Sequence, residues 1–233
     1  MKYDFIAIDF ETASNEYYSA CSLGIAFVKN SKVVESKYYL IKPPVDFKKY
    51  NTKIHGLDAD AVEQAPNFKE VWEEIKPLIK NTLVVAHAAK FDIAVLVACC
   101  HFYELPLPHF QYVDSIDLFR AAYPKHQKGS LDYCSNLLDI SLENHHDALE
   151  DAVACAYIAI KSMRRIKRLP LAKMIIAFKS IDIKTSDVTF SIPHLDEDHP
   201  LYKKEITVHG NMLSEKGDLK IEYKAKVDVP TDR

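Results

Sequence analysis

The chain has 233 residues, 48% hydrophobic and 27% charged, an ordinary globular composition large enough for one sizeable domain and an appendage. Its net charge of −3, from 30 Lys and Arg against 33 Asp and Glu, excludes a global electrostatic case for nucleic acid, although bound cations can supply positive charge locally. Five glycines leave no Gly-rich phosphate loop, no apolar run is long enough to span a membrane, and no leader pattern is present. The five cysteines lack CxxC spacing and mostly sit in apolar contexts, so they read as reduced core thiols of a cytoplasmic protein.

Residues 4–10 read as a first strand, Cys21 to Lys29 as a second and Lys32 to Ile41 as a third. Their short connections favour an antiparallel meander, which Pro43-Pro44 ends. Residues 45–65 read as polar and irregular. Pro66 sits just inside a predicted helix in which Phe68, Val71, Trp72, Ile75 and Ile79 recur at helical spacing. Thr82 to Ala86 is short and fully apolar, the pattern of a buried parallel strand. A helix over roughly 91–103 follows, then a brief strand at Tyr112-Val113-Asp114 and short helices at 115–123 and 130–138. A longer helix begins after His146, with an alanine face (Ala148, Ala152, Ala156) suited to close packing on a sheet. Beyond Pro170 the texture changes, and Val188–Ile192, Glu205–Val208 and Leu219–Val229 look strand-like.

Asp9 and Glu11 stand two positions apart at the end of the first strand, so their side chains share a face. Two buried like charges are costly unless neutralised, and paired oxygens suit Mg²⁺ or Mn²⁺. A lone Asp-x-Glu is more often just a solvated strand end. Asp92 adds an acid where a parallel strand turns into a helix, the place where α/β sheets put their sites. Asp151 adds another in the first turns of the alanine-rich helix, five residues after His146. Singly, Asp92 reads equally well as a helix cap and Asp151 as a solvated helix acid; four acids and a histidine at element ends form a rarer set.

Asp9-Phe10-Glu11-Thr12, Ala86-His87-Ala88-Ala89-Lys90-Phe91-Asp92 and His146-Asp147-Ala148-Leu149-Glu150-Asp151-Ala152 resemble, in this order, the three motifs of the DEDDh 3′–5′ exonucleases. That group contains the epsilon-type proofreading subunits, RNase T and oligoribonuclease. Ser19 to Gly24 and Ile54-His55-Gly56-Leu57 are secondary marks, and the resemblance covers about residues 3–165. It implies a ribonuclease-H-like fold: a mixed five-stranded sheet, three strands antiparallel and two parallel, with helices on both faces. It implies an exonuclease domain over 1–169 and a C-terminal extension over 170–233. Asp9, Glu11, Asp92 and Asp151 would hold two Mg²⁺ or Mn²⁺ ions about 4 Å apart, Asp9 bridging them, with Glu11 and Asp151 serving the ion that activates water. His146 would be the general base. Phe10, Thr12 and His55 are the candidate substrate contacts, although Phe10 reads equally well as a core residue and His55 as loop packing. His145 reads as a neighbour without a chemical role, and His87 as structural.

The expected substrate is nucleic acid with a free 3′ end, single-stranded or frayed DNA ahead of RNA. RNA 3′-end trimming and a catalytically weakened binding or docking module are the alternatives. The second motif usually carries Asn where this chain has Ala88, which lacks donor and acceptor. In the tail, His199 to Leu213 resembles the opening of a BRCT module, too short to complete one. This points to a docking segment for a protein partner.

Overall fold

The computed structural model describes residues 3–186 and the backbone of two further strands, 206–214 and 217–225. The main sheet opens with β1 (Phe5–Thr12), β2 (Ala20–Lys29) and β3 (Lys32–Leu40), an antiparallel meander. A short helix follows, α1 (Lys49–His55), in the segment that the sequence reads as irregular. It buries no residue of its own, so no apolar period announces it. Gly56, at φ 78° in the left-handed region, ends it.

Helix α2 (Phe68–Ile79) buries Phe68, Val71, Trp72, Ile75 and Ile79, the stripe expected from spacing. Each such side chain contributes roughly 1.5–3 kcal/mol when fully buried. The helix begins two residues after Pro66 because Asn67 forms a capping box with Glu70. Next come β4 (Leu83–Ala86), α3 (Lys90–Phe102), β5 (Gln111–Asp114), α4 (Ser115–Ala122), α5 (Leu131–Leu137) and α6 (Ala148–Ile166). Strand β4 lies parallel to β1, and β5 parallel to β4.

Alternate β1 side chains serve opposite faces. Ile6, Ile8 and Phe10 pack with α2 and α3 in the largest core cluster. Ala7 packs with Val85, Val113 and α6 residues Cys155, Ala156 and Ala159 on the other face. Asp9 and Glu11 share the parity of Ala7, so they continue the α6 face past its apolar part. The small α6 residues let that helix settle against β2, where Gly24 meets the carbonyl of Ala148.

The sheet has six strands rather than the expected five, in the order β3-β2-β1-β4-β5-β6. The extra strand, β6 (Lys184–Thr185), pairs antiparallel with β5 after helix α7 (Leu171–Lys179). Ser186 extends the join, its N–H donating to Phe110 O at 2.8 Å. Two residues carry no period, so β6 had no sequence signal. Helix α7 packs Ala177 against Ala122 and Ile166, so residues beyond 169 belong to the same body as far as 186. Strands β7 (Ile206–Ser214) and β8 (Gly217–Ala225) form a two-stranded antiparallel sheet. The strand expected at Val188–Ile192 and the start of the BRCT-like stretch, 199–205, lie outside the described residues. All five cysteines are buried and free. No helix among the described residues is long and apolar enough to cross a membrane.

Candidate active site

A cleft of about 630 Å³ opens at the C-terminal ends of β1 and β4, and among the described residues none that lines it is Lys or Arg. Asp9 and Glu11 enter it from β1, Asp92 from the first turn of α3 and Asp151 from the first turn of α6. Four acids spread over 143 residues of sequence thus face one space. Carboxylate oxygens of Asp9, Glu11 and Asp151 all lie within 4.8 Å of one another. Asp92 is 1% exposed, and its Oδ1 accepts from the Phe10 N–H at 2.9 Å, which ties α3 to β1.

Burial, and then the charges of Asp92, Asp151 and Glu11, push the Asp9 carboxyl well above the usual carboxylate range. Glu11 is pushed up to about 8, by burial first and Asp151 second. Burial also raises Asp92 and Asp151; His145 works against it at Asp151. Asp151 Oδ1 is buried with no hydrogen-bond partner. A cluster of like charges, one carrying an orphaned oxygen, is an unfavourable arrangement for an empty protein and a fitting one for divalent cations.

The turn before α3 is held from outside the motif. Asp114, at the end of β5, accepts from the N–H groups of Ala88 and Ala89 at 3.1 and 3.0 Å, and from Ile116 N–H at 2.9 Å. Ala88 has φ 58°, in the left-handed region where Asn is at ease and a plain L side chain costs about 1–2 kcal/mol. That accounts physically for the Asn usual at this position; here the Asp114 bonds hold the strained turn. His87 is fully engaged, with Nδ1 2.7 Å from Ser115 Oγ and Nε2 2.7 Å from Gly129 O.

The two adjacent histidines divide differently from expectation. His145 Nδ1 lies 2.9 Å from Asp151 Oδ2, so the residue read as a bystander touches an acid of the cluster. His146 stacks on it at 3.9 Å between ring centroids, sits at φ 72°, and donates its backbone N–H to Asp151 Oδ2 at 3.1 Å. Its imidazole is exposed on the cleft rim, and burial and then His145 lower its pKa. Asp147, between motif positions, caps α6 by accepting from Leu149 and Glu150 N–H.

Thr12 is 6% exposed, and its carbonyl accepts from Asn51 Nδ2 at 2.9 Å and lies 3.2 Å from His55 Nε2. His55 Nδ1 accepts from Leu57 N–H, which makes Nε2 the donor to Thr12. Helix α1 therefore builds one wall of the cleft. Phe10 lies along the cleft floor but is only 2% exposed and belongs to the main core, so its ring face is not open for stacking. Phe91, 40% exposed and edge-on to Tyr17, is the accessible aromatic at the cleft. Sequence reading missed Phe91, Tyr17, Asn51 and Asp114. Phe91 lies inside the second motif and was treated only as motif spacing; the others had no local signal.

The exonuclease family model, RNase_T, matches residues 6–159. A "3′-5′ exonuclease DinG" of Staphylococcus haemolyticus is 27% identical over 235 residues, covering 94% of this chain and 26% of that protein. The chain thus spans about a quarter of the length of the curated relatives it matches. Among solved structures, exonuclease X in complex with 5′ overhanging duplex DNA aligns with a TM-score of 0.59 at 21% identity, covering 74% of this chain and 98% of that one. The nuclease domain of 3′hExo, a DEDDh family member bound to rAMP, aligns with a TM-score of 0.58 at 17% identity, covering 70% and 92%.

Proposed function

The chain belongs to the RNase_T exonuclease family, and from that premise we propose that it hydrolyses phosphodiester bonds one nucleotide at a time from the 3′ end of single-stranded or frayed DNA. The observation that carries this reading is the convergence of Asp9, Glu11, Asp92 and Asp151 on one cleft, with Asp151 Oδ1 unpartnered. These four side chains would hold two divalent cations, Mg²⁺ or Mn²⁺. When bound, such ions polarise the scissile phosphate and stabilise the attacking and leaving oxygens.

The remaining work falls to the chain's own groups. His146 takes the proton of the attacking water; its lowered pKa keeps it neutral, and so able to accept, at neutral pH. His145 holds Asp151 through Nδ1. Thr12, fixed by Asn51 and His55, shapes the seat of the terminal nucleotide. Exposed Phe91 offers a stacking surface tolerant of base identity. The complete set of acids argues against a silent binding module.

The deciding experiment incubates 5′-labelled DNA and RNA oligonucleotides with Mg²⁺, Mn²⁺ or EDTA. Stepwise shortening from the 3′ end is expected with either cation and none with EDTA. His146→Ala should lower the rate by about 10²–10⁴-fold. Absence of shortening on both polymers with both cations would rule the reading out, and a His146→Ala protein at wild-type rate would remove the base assignment. RNA shortened faster than DNA would move the substrate to RNA, a distinction that rests on contacts to the 2′-hydroxyl.

Of the extension over 170–233, the part beyond Ser186 is proposed for protein contacts rather than chemistry. A chain ending at Ser186, which keeps α7 and β6, should turn over oligonucleotides like the full chain; a loss of turnover would count against this division.

A further inference from the structure

Among the described residues the cleft is lined by four acids and no Lys or Arg, and the net charge is −3, so, bound cations apart, a polyanionic strand needs positive contacts elsewhere. A second cavity, of about 680 Å³, lies between the end of α4, the loop after it, the end of α6 and α7. Among the described residues, Arg120, Lys125, His126, Arg165 and Lys173 line it, against one carboxylate, Asp117. Arg165 is pre-positioned: its Nε donates to Ala122 O at 2.9 Å and its guanidinium lies 4.5 Å over the Tyr123 ring. Among the described residues its other N–H groups have no hydrogen-bond partner. Arg120 is anchored by a bond to Gln127 O at 3.2 Å. Among the described residues, none of Arg120, Lys125, Arg165 and Lys173 has a carboxylate partner.

This cavity is joined to the catalytic cleft by one loop. Tyr123 to Gln127 line the cavity; Gly129 O then receives His87, and Leu131 lines the cleft. Lys125 and Lys128 are exposed along the way. Helix α6 sets the distance, because Asp151 and Arg165 are fourteen positions apart on it (165 − 151 = 14). At 1.5 Å per residue that is about 21 Å. A single strand running along that path covers it in several nucleotides.

We propose that this cavity is a second subsite for the substrate strand, holding its phosphodiester backbone several nucleotides from the 3′ end. The inference rests on the nuclease reading above. Its test compares wild type with the Lys125→Gln/Lys173→Gln double variant, and separately with Arg165→Gln, on a thymidylate trimer and dodecamer. Binding of the dodecamer is followed in parallel by fluorescence anisotropy. With the double variant, the dodecamer should show a KM and Kd raised about tenfold at low salt, and a salt slope shallower by about 1.4, or 0.7 per lost contact on a single strand. The trimer, too short to reach the cavity, should be turned over at matching rates.

Equal effects on trimer and dodecamer, or none on either, would overturn the subsite. Melting curves separate a folding defect of Arg165→Gln from a lost contact, and the double variant, made at exposed or rim lysines, carries the test by itself. Wild type is also assayed on the p-nitrophenyl ester of thymidine 5′-monophosphate with Mn²⁺. If that ester and both oligonucleotides resist hydrolysis, the nuclease reading has failed. The dodecamer Kd of wild type and double variant still decides whether the cavity binds a strand.

Discussion

Asp9→Asn is expected to abolish turnover and, at the same time, to stabilise the metal-free protein. Asp9 shares a 4.8 Å cluster with Glu11 and Asp151 and is raised further by Asp92, so it is the acid with neighbours on every side. If Asp9 is the central ligand proposed above, its loss removes several kcal/mol of transition-state stabilisation, about three powers of ten at about 1.36 kcal/mol each. Stability moves the other way. Asp9 and Glu11 both have folded pKa values above their unfolded ones, so the folded state binds more protons and loses stability as pH rises. For Glu11 the window runs from its ordinary value of 4.5 to about 8. In EDTA, wild type should therefore melt lower at pH 8 than at pH 5. Asp9→Asn should flatten that slope and melt higher than wild type at pH 8. Added Mn²⁺ should raise the melting temperature of wild type well beyond that of the variant. A variant that retained nuclease activity, or that melted below wild type in EDTA at pH 8, would refute this account.

Gly24→Ala tests the platform rather than the chemistry. A Cβ there would stand 2.6 Å from Leu149 Cα and closer still to the Ala148 carbonyl. Both are backbone, so no rotamer relieves the clash and the start of α6 must move. Overpacking of this kind costs about 1–3 kcal/mol. The same turn carries Asp147, which caps the helix, and Asp151, which closes the acid cluster. A displacement of 1 Å at a reacting centre can cost about 10²-fold in rate. The expected result is a lower urea midpoint together with turnover reduced by about two orders of magnitude and a weaker Mn²⁺ response. Wild-type turnover with an unchanged midpoint would show that α6 does not depend on this contact.

The helices with an apolar period were legible before the structure. Phe68, Val71, Trp72, Ile75 and Ile79 face inward because i, i+3, i+4 spacing leaves them no other side. The apolar runs of β1, β2 and β4 were equally plain, and so was the alanine face of α6. Elements without buried side chains or without length were not. Helix α1 buries nothing, and β6 is two residues long. Their existence depends on partners far away in sequence, Thr12 and Ser14 for Asn51 of α1 and Gln111 and Tyr112 for β6.

The acids Asp9, Glu11, Asp92 and Asp151 were readable as candidates because a site for cations would need those residue types at the ends of elements, and residue type is a property of sequence. Their support was not readable. That His145, not only His146, reaches Asp151, that Asp114 holds the turn at Ala88, and that Phe10 is sealed in the core while Phe91 is open are matters of distance and exposure. Sequence alone is enough for the elements with an apolar period, for the face on which Asp9 and Glu11 stand and for the acids that could form the site, because periodicity and side-chain chemistry are local. Which groups touch, what each carboxyl's neighbours do to its proton, and where a second cavity, this one basic, lies were settled by the tertiary structure, because burial and electrostatics act between residues that the chain itself keeps far apart.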